Sequence, residues 1–142
     1  MSEWLERYPW TKVEDNRVEP WRPIGSSWFD DFEEDMPGWS NITHAMCAAV
    51  QDVIDRHPGS SVSILQFKEK FGEARVYYVA SEDISVSVGN IIAAFERASE
   101  QTCIKCGAAG KIRGDLAWIL PLCDAHYEET PKSRNRQLKF DF

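Results

Sequence analysis

The C-terminal part of the chain carries two pairs of metal-binding side chains whose spacing constrains the fold more than any other feature. Cys103 and Cys106 form one pair, Cys123 and His126 form the other, and together they read C-x2-C-x16-C-x2-H. Two soft ligands two residues apart can hold one ion from a single turn of backbone. Four such donors complete a tetrahedron and leave no position for water. The sequence therefore predicts Zn2+ as a structural cofactor bound by these four residues.

The residues around the two pairs predict how the chain folds between them. Gly107 follows the second cysteine and permits a sharp reversal of the backbone. Residues 112–120 are suited to a short hairpin that Pro121 ends, and a short helix is expected over residues 123–129. The resulting order of knuckle, hairpin and helix is that of a treble-clef finger.

The first 39 residues are rich in both tryptophan and proline. They contain the prolines at positions 9, 20, 23 and 37 and five of the six tryptophans, which are Trp4, Trp10, Trp21, Trp28 and Trp39. The prolines interrupt long helices, so we expect an irregular arm with one short helix over 27–35, capped by Ser26 or Ser27. Because each indole ring can bury roughly 150–250 Å2, packing onto a core is favoured over the alternative, a surface that binds a partner.

Residues 40–102 predict a helix, a hairpin and a second helix. The first helix begins with Ser40 or Asn41 as its cap, ends at His57, and has an apolar stripe at helical spacing formed by Ile42, Ala45, Met46, Ala49, Val50, Val53 and Ile54. Strands are predicted over 61–67 and 74–80, with a loop over 68–73 that contains Gly72. The second helix begins near residues 81–83 and has a stripe formed by Ile84, Val88, Ile91, Ile92, Phe95 and Ala98.

The predicted architecture is α+β: two helices packed on a small antiparallel sheet, with a C-terminal treble-clef-like zinc module. Within one compact domain we divide the chain into an acidic Trp-rich arm (1–39), a helix–hairpin–helix core (40–102), the zinc module (103–129) and a polar tail (130–142). The sequence has neither a long apolar run nor a signal-peptide pattern. We therefore expect a cytoplasmic protein with reduced thiols, and no membrane contact.

The net charge of −7 is concentrated towards the N-terminus. Residues 1–40 carry ten acids and four bases, a net −6, whereas residues 103–142 carry five acids and seven bases, a net +2. Such an acidic body disfavours broad nucleic-acid binding, which depends on Lys and Arg. It suits contact with the basic surface of another protein, and the candidate contact residues are Trp28, Asp30, Asp31, Glu33 and Glu34. We therefore predict a non-enzymatic protein that modulates a macromolecular partner, as an inhibitor or immunity protein does.

A second group of candidate contact residues lies around the predicted loop of the hairpin. It comprises Lys68, Lys70, Phe71 and Arg75. These residues either grip an acidic group on a partner or form solvated cross-strand ion pairs with Glu69 and Glu73, each worth under roughly 1 kcal/mol.

Two further hypotheses compete with a protein-binding role. The first is a nucleic-acid-binding zinc-finger regulator that uses the basic finger and tail, namely Lys105, Lys111, Arg113, Lys132, Arg134, Arg136 and Lys139. The second is a catalytic Cys47 with His44 as its base, because the two lie three residues apart on a helix. The apolar neighbours Met46 and Ala48 favour a buried structural cysteine instead.

Three segments resemble a family of small uncharacterised bacterial and phage proteins. They are QFKEKFGEARVYY (66–78), CIKCG (103–107) and LCDAH (122–126), and members of the family are similar to "VKEKFGxLRFY", then "CxxCG", then "W…LCDxH". The resemblance spans about residues 28–126 and includes Trp118. The chain departs from the family pattern at Glu73 and Ala74, which puts the local conformation of that loop in question. The resemblance implies the architecture described above and implies no activity.

Overall fold

The computed structural model describes residues 2–132, which form the predicted α+β fold with five α-helices and two separate two-stranded antiparallel sheets. The α-helices are α1 (Glu3–Arg7), α2 (Phe32–Asp35), α3 (Ser40–Arg56), α4 (Ser85–Glu100) and α5 (Asp124–Glu129). The strands are β1 (Val62–Lys70), β2 (Glu73–Ala80), β3 (Lys111–Arg113) and β4 (Leu120–Leu122). Short 3-10 turns cover Pro9–Thr11, Pro37–Trp39 and Glu82–Ile84. Most of the predicted polar tail, residues 133–142, lies outside the described part of the chain.

Helix α3 forms as predicted but buries only part of its apolar stripe: Met46 and Val50 are buried, whereas Ala45 is exposed. It also begins differently from expectation. The 3-10 turn Pro37–Trp39 runs directly into α3. The N-cap of the helix is Trp39, not Ser40 or Asn41. The Ser40 hydroxyl donates instead to the Glu33 carboxylate at 2.9 Å. The predicted cap was therefore wrong, because the preceding turn already supplies helical backbone where a side-chain cap would otherwise be needed.

The long hairpin extends further than predicted. The expected loop over 68–73 is in fact mostly strand, because Lys68, Glu69 and Lys70 pair in register with Arg75, Ala74 and Glu73. Only Phe71 and Gly72 form the turn, with φ of +53° and +90°. Two successive positive φ angles are the signature of the tight turn whose twist matches a two-residue hairpin.

The short helix predicted over 27–35 is reduced to α2. Its first residues form turns instead: the Phe29 N–H donates to the Ser27 hydroxyl, and the Ser27 N–H donates to the Asp30 carboxylate. Such local side-chain bonds compete with helical backbone bonds, so neither Ser26 nor Ser27 acts as a helix cap.

The core is continuous from the N-terminal arm to the metal-binding region. Helix α4 packs on β2, and α3 packs mainly on α4, so the two long helices do not simply lie side by side on one sheet. Phe67 of β1 contacts Phe29 and Phe32 of the arm, with ring centroids 5.4 and 5.0 Å apart. The packing of the arm's tryptophans is confirmed for Trp4, Trp28 and Trp39, which are buried, and for Trp10, which is half-buried.

Among residues 2–132, no helix has the length and hydropathy required to cross a membrane.

Candidate metal centre

The four residues predicted as ligands come together at one point, although 16 residues separate the two pairs. Each of Cys103, Cys106, Cys123 and His126 offers one donor atom, and these atoms all lie within 4.8 Å of one another. The Cys103 sulfur lies 3.6 Å and the Cys123 sulfur 3.2 Å from Nδ1 of His126. The sulfurs of Cys106 and Cys123 are 3.8 Å apart, far beyond the roughly 2.05 Å of a disulfide. Together these donors can bind one metal ion.

The first pair lies on a tight turn. The Cys103 N–H donates to the Ala108 carbonyl and the Gly107 N–H donates to the Cys103 carbonyl, which brings the chain back on itself. Gly107 has a φ of +83°, a conformation that side chains with a Cβ adopt only with strain. The reversal predicted from this glycine is therefore present, and it directs the two sulfurs towards one point.

The second pair begins a helix. Cys123 is the N-cap of α5, and its sulfur accepts a hydrogen bond from the His126 backbone N–H at 3.5 Å. The imidazole of His126, in the first turn, faces the same sulfur through Nδ1. Cys123 is thus both the cap of α5 and a candidate metal donor, so the helix begins at the donor cluster.

The electrostatics favour the deprotonated form of Cys103 and Cys123, whereas, despite a backbone hydrogen bond from Ala108, burial and the neighbouring sulfurs raise the pKa of Cys106. Burial raises the pKa of Cys103, but the backbone N–H groups of Cys123, Cys106 and Lys105 outweigh it and hold the pKa at about 6. The pKa of Cys123 is lowered, first by the backbone N–H of His126 and then by its imidazole. Thiolates are the metal-binding form of cysteine, so the lowered pKa values of Cys103 and Cys123 favour metal binding. Cys123 in turn raises the pKa of His126, so that a proton and a metal compete for Nδ1.

Arg113 braces the second pair, Cys123 and His126, by binding the residues on either side of Cys123. Its buried guanidinium donates twice to the Leu122 carbonyl, at 3.1 and 3.0 Å, and once to the Asp124 carboxylate at 2.8 Å. The same group lies 4.3 Å from the centre of the Tyr127 ring. Leu122 and Asp124 flank Cys123, so Arg113 sets the position of a donor without touching it. The sequence assigned Arg113 only to a basic surface, and nothing in its local pattern indicates this bracing role.

Gly38 joins the metal-binding region to the arm. Its N–H donates to the Ile104 carbonyl at 2.7 Å, and a Cβ at this position would lie 2.0 Å from the Cys103 carbonyl oxygen. The neighbouring Trp39 indole donates to the Thr102 carbonyl at 3.1 Å. The turn that carries the first pair of cysteines therefore packs directly against the backbone of Gly38, and only a glycine allows so close an approach. Sequence reasoning missed this residue, because its partners lie more than sixty positions away.

Comparison with known proteins adds no relative: the chain matches no protein-family model, and no curated protein or solved structure is significantly similar to it.

The predicted acidic contact residues divide into buried and exposed groups. Trp28 is only 1% exposed, so its ring supports the core and is not available to a partner. Asp31 is half-buried and receives a hydrogen bond from Arg22 at 2.7 Å. Asp30, Glu33 and Glu34 are exposed.

The predicted contact residues of the long hairpin lie on its strands and turn. Lys70 and Phe71 are exposed, Phe71 at 69%. Lys68 lies over the Tyr77 ring at 5.9 Å, and Arg75 forms an ion pair with Glu73. Neither contact is the cross-strand ion pair that the sequence offered as an alternative, because Lys68 meets an aromatic ring and Arg75 pairs with a residue of its own strand.

The basic finger presents fewer cations than the sequence suggests. Lys105 and Lys111 are exposed, but Arg113 is buried in the bracing contacts described above. Lys132 lies over the Tyr127 ring at 3.4 Å. The remaining basic residues, Arg134, Arg136 and Lys139, lie outside the described residues.

Cys47 and His44 are part of the core. Cys47 is fully buried, and burial strongly raises the pKa of its thiol. The His44 ring stacks on Trp4 at 3.9 Å, with only 10° between the planes. A thiol held protonated in this way is a poor nucleophile, in agreement with the structural interpretation.

Proposed function

We propose that this chain is a zinc-stabilised binding protein that modulates a macromolecular partner by non-covalent contact. The observation that supports the proposal is a set of exposed carboxylates, those of Asp30, Glu33 and Glu34, on a segment whose aromatic rings are buried in the core. The metal site stabilises the fold that contains these rings.

The donor set favours zinc over other ions. Three thiolates and one imidazole are the soft and borderline ligands that zinc prefers, whereas magnesium and calcium require oxygen. Zinc bonds of about 2.3 Å to sulfur and 2.0–2.1 Å to nitrogen, at tetrahedral angles, separate two sulfurs by about 3.8 Å and a sulfur from a nitrogen by about 3.6 Å. The distances of 3.8 Å for Cys106–Cys123 and 3.6 Å for Cys103–His126 agree with this geometry, whereas the 3.2 Å of Cys123–His126 is shorter.

The same site suits a structural role and a treble-clef-like module. The cysteine turn, the β3–β4 hairpin and the start of α5 follow one another in the order that such a finger requires. Four protein donors fill a tetrahedron, so zinc here would bind no water and would activate no substrate.

The proposed contact surface surrounds α2. In this segment, exposed acids alternate with fully buried rings: Asp30, Glu33 and Glu34 face solvent, while Phe29 and Phe32 pack against β1. The buried rings restrict the backbone, so the carboxylates lie at defined positions. Such an acidic surface would steer and orient a basic partner, as inhibitors of nucleic-acid-processing proteins do.

Charge reversal tests this surface. Glu34 and Asp35 make no side-chain hydrogen bond or ion pair within residues 2–132, so a Glu34→Lys/Asp35→Lys variant should fold normally. We expect it to lose at least tenfold in association rate with the natural partner at low salt, when that partner is isolated from the source cells by cross-linking.

The matched control is Glu128→Lys/Glu129→Lys, another adjacent acidic pair at the end of a short helix. It should retain the partner with the wild-type rate. If the two double variants associate equally fast, the acidic surface is the wrong one.

A further inference from the structure

Residues 14–25 form a closed loop on the acidic side of the molecule. The Val13 N–H donates to the Ser26 carbonyl and the Gly25 N–H donates to the Val13 carbonyl, so the two ends of the loop are hydrogen-bonded to each other. Inside the loop, the Asn16 side chain donates to the Arg22 carbonyl at 2.7 Å. These bonds define one conformation for a segment that has no helix or strand of its own.

The loop combines exposed apolar side chains with two buried charges. The exposures are 66% for Val18, 71% for Trp21 and 61% for Ile24. Glu19 and Arg22 are buried, at 8% and 9% exposure, while the other charged residues of the loop, Glu14, Asp15 and Arg17, are exposed. Buried charges beside an exposed apolar patch depart from the usual arrangement of a soluble surface.

The buried charges hold the loop against the core. Arg22 donates to the Asp31 carboxylate at 2.7 Å and lies 5.6 Å from the centre of the Trp28 ring. Glu19 approaches Arg22 at 3.6 Å, and burial raises its pKa. Neither Glu19 Oε2 nor Arg22 Nε has a hydrogen-bond partner within residues 2–132. Burying such a pair costs free energy. The hydrogen bond from Arg22 to Asp31 holds the loop in the orientation that leaves Trp21 in water.

The surroundings of Trp21 indicate the chemistry of what covers it. A cleft of about 160 Å3 lies between Trp21, Pro23 and the carboxylates of Asp30 and Asp31. The exposed indole therefore stands beside the acidic surface of α2. Tryptophan is enriched among the residues that dominate binding energy, which lie in well-packed pockets near the centre of an interface, and the rim of an interface is polar.

We propose that Trp21 is the anchor of the partner interface, and that the partner is a protein with an apolar pocket bordered by Lys or Arg side chains. Trp21 fills the pocket, and Asp30 and its acidic neighbours pair with the basic rim. Val18 and Ile24 extend the apolar contact. This inference rests on the proposed function, and it adds an anchor and a pocket to a surface otherwise defined by charge alone.

Trp118 offers a matched control, because it is 69% exposed and lies in another part of the molecule. Its indole N–H already donates to the Glu69 carboxylate at 2.9 Å. The experiment places the photo-cross-linker p-benzoylphenylalanine at position 21 or at position 118 in the source cells. The protein captured from position 21 is then purified, and its affinity for wild type, Trp21→Ala and Trp118→Ala is measured by calorimetry.

We expect efficient capture of one protein from position 21 only. Trp21→Ala should bind that protein at least about 30-fold more weakly, the loss typical of a central interface tryptophan, while Trp118→Ala binds as wild type. Equal binding by Trp21→Ala and wild type would overturn the inference, as would capture from position 118 alone. If Glu34→Lys/Asp35→Lys still slows association in that case, the acidic surface survives without its anchor. If neither variant changes binding, both proposals fail.

Discussion

The two hairpins of this molecule are stabilised in different ways. The β1–β2 hairpin pairs from Val62–Ala80 to Lys70–Glu73 and buries Phe67 and Val76 against the arm and α4. The β3–β4 hairpin has only three residue pairs. It adjoins the candidate metal donors, and its own Arg113 donates from β3 to the Leu122 carbonyl of β4. A long hairpin can be stabilised by buried side chains, whereas a hairpin of three pairs buries too little and needs an ion or a bracing cation.

Loss of the metal should produce the largest difference between the two hairpins, measured as protection from amide hydrogen exchange. In Cys106→Ser, the ion loses one of its four donors, and an apparent binding energy on the order of 10 kcal/mol is removed from the folding of residues 103–129. We expect rapid amide hydrogen exchange there, with protection retained in β1, β2 and α4. Cys47→Ala, at a cysteine outside the site, should keep stoichiometric metal. Slow exchange over β3–β4 in the metal-free variant would contradict the comparison.

Removal of a core ring should have the opposite pattern. Phe67→Ala deletes a fully buried ring that contacts Phe29 and Phe32, and we expect a loss of about 3–5 kcal/mol in the free energy of unfolding. Urea denaturation measures it. The folded variant should keep its metal, because the donors lie elsewhere. Leu65→Ala, in the same strand but half-exposed, is the control and should cost far less.

Gly38→Ala tests the junction between the two regions. The new Cβ would lie 2.0 Å from the backbone oxygen of Cys103, and no side chain can move aside to relieve the contact. We expect a loss of about 3 kcal/mol in unfolding free energy, together with weaker metal binding. Gly89→Ala in α4 meets only the tip of Tyr78 at 3.2 Å and should be tolerated. If Gly38→Ala left metal affinity unchanged, the two regions would be independent.

The bracing cation should affect metal affinity without affecting the core. Arg113→Lys keeps the charge but loses the forked contact with Leu122 and Asp124, so metal affinity should fall about 10- to 100-fold. Competition with a chelator measures the change. Lys111→Ala, an exposed position on the same strand, should bind metal as wild type does.

The turn of the long hairpin should show the smallest effect. Phe71 has a φ of +53° and is largely exposed, so Phe71→Gly relieves backbone strain and should stabilise the protein by up to about 1 kcal/mol. Gly72→Ala should do the reverse, since φ is +90° and the new Cβ would lie 3.2 Å from Ile112. Marked destabilisation by Phe71→Gly, measured by urea denaturation, would mean that this side chain links the two hairpins.

The sequence predicted what local patterns determine. The candidate metal donors and the two long helices follow from spacing alone, and the structure brings the donors together and forms both helices. Residues 68–70 of the expected loop are charged, and charge favoured a loop. They nevertheless continue β1, because each of them pairs in register with a residue of β2. The tight two-residue turn at Phe71 could not be read from a bulky residue that disfavours positive φ.

Features set by distant contacts were beyond local patterns. Gly38 meets a cysteine turn 65 residues later, and nothing near it in the sequence signals that approach. The local sequence does not distinguish the five tryptophans of the arm from one another, yet Trp28 is buried and Trp21 faces solvent. Arg22 lies over the Trp28 ring and pairs with Asp31, and only the folded chain brings these residues together.

Elemental analysis of the freshly purified, folded protein is the decisive test of the metal site. We predict one equivalent of zinc per chain, lost on mutation of Cys106 and retained on mutation of Cys47. A folded wild-type protein without metal, with residues 103–129 still protected from hydrogen exchange, would show that the four donors meet for another reason.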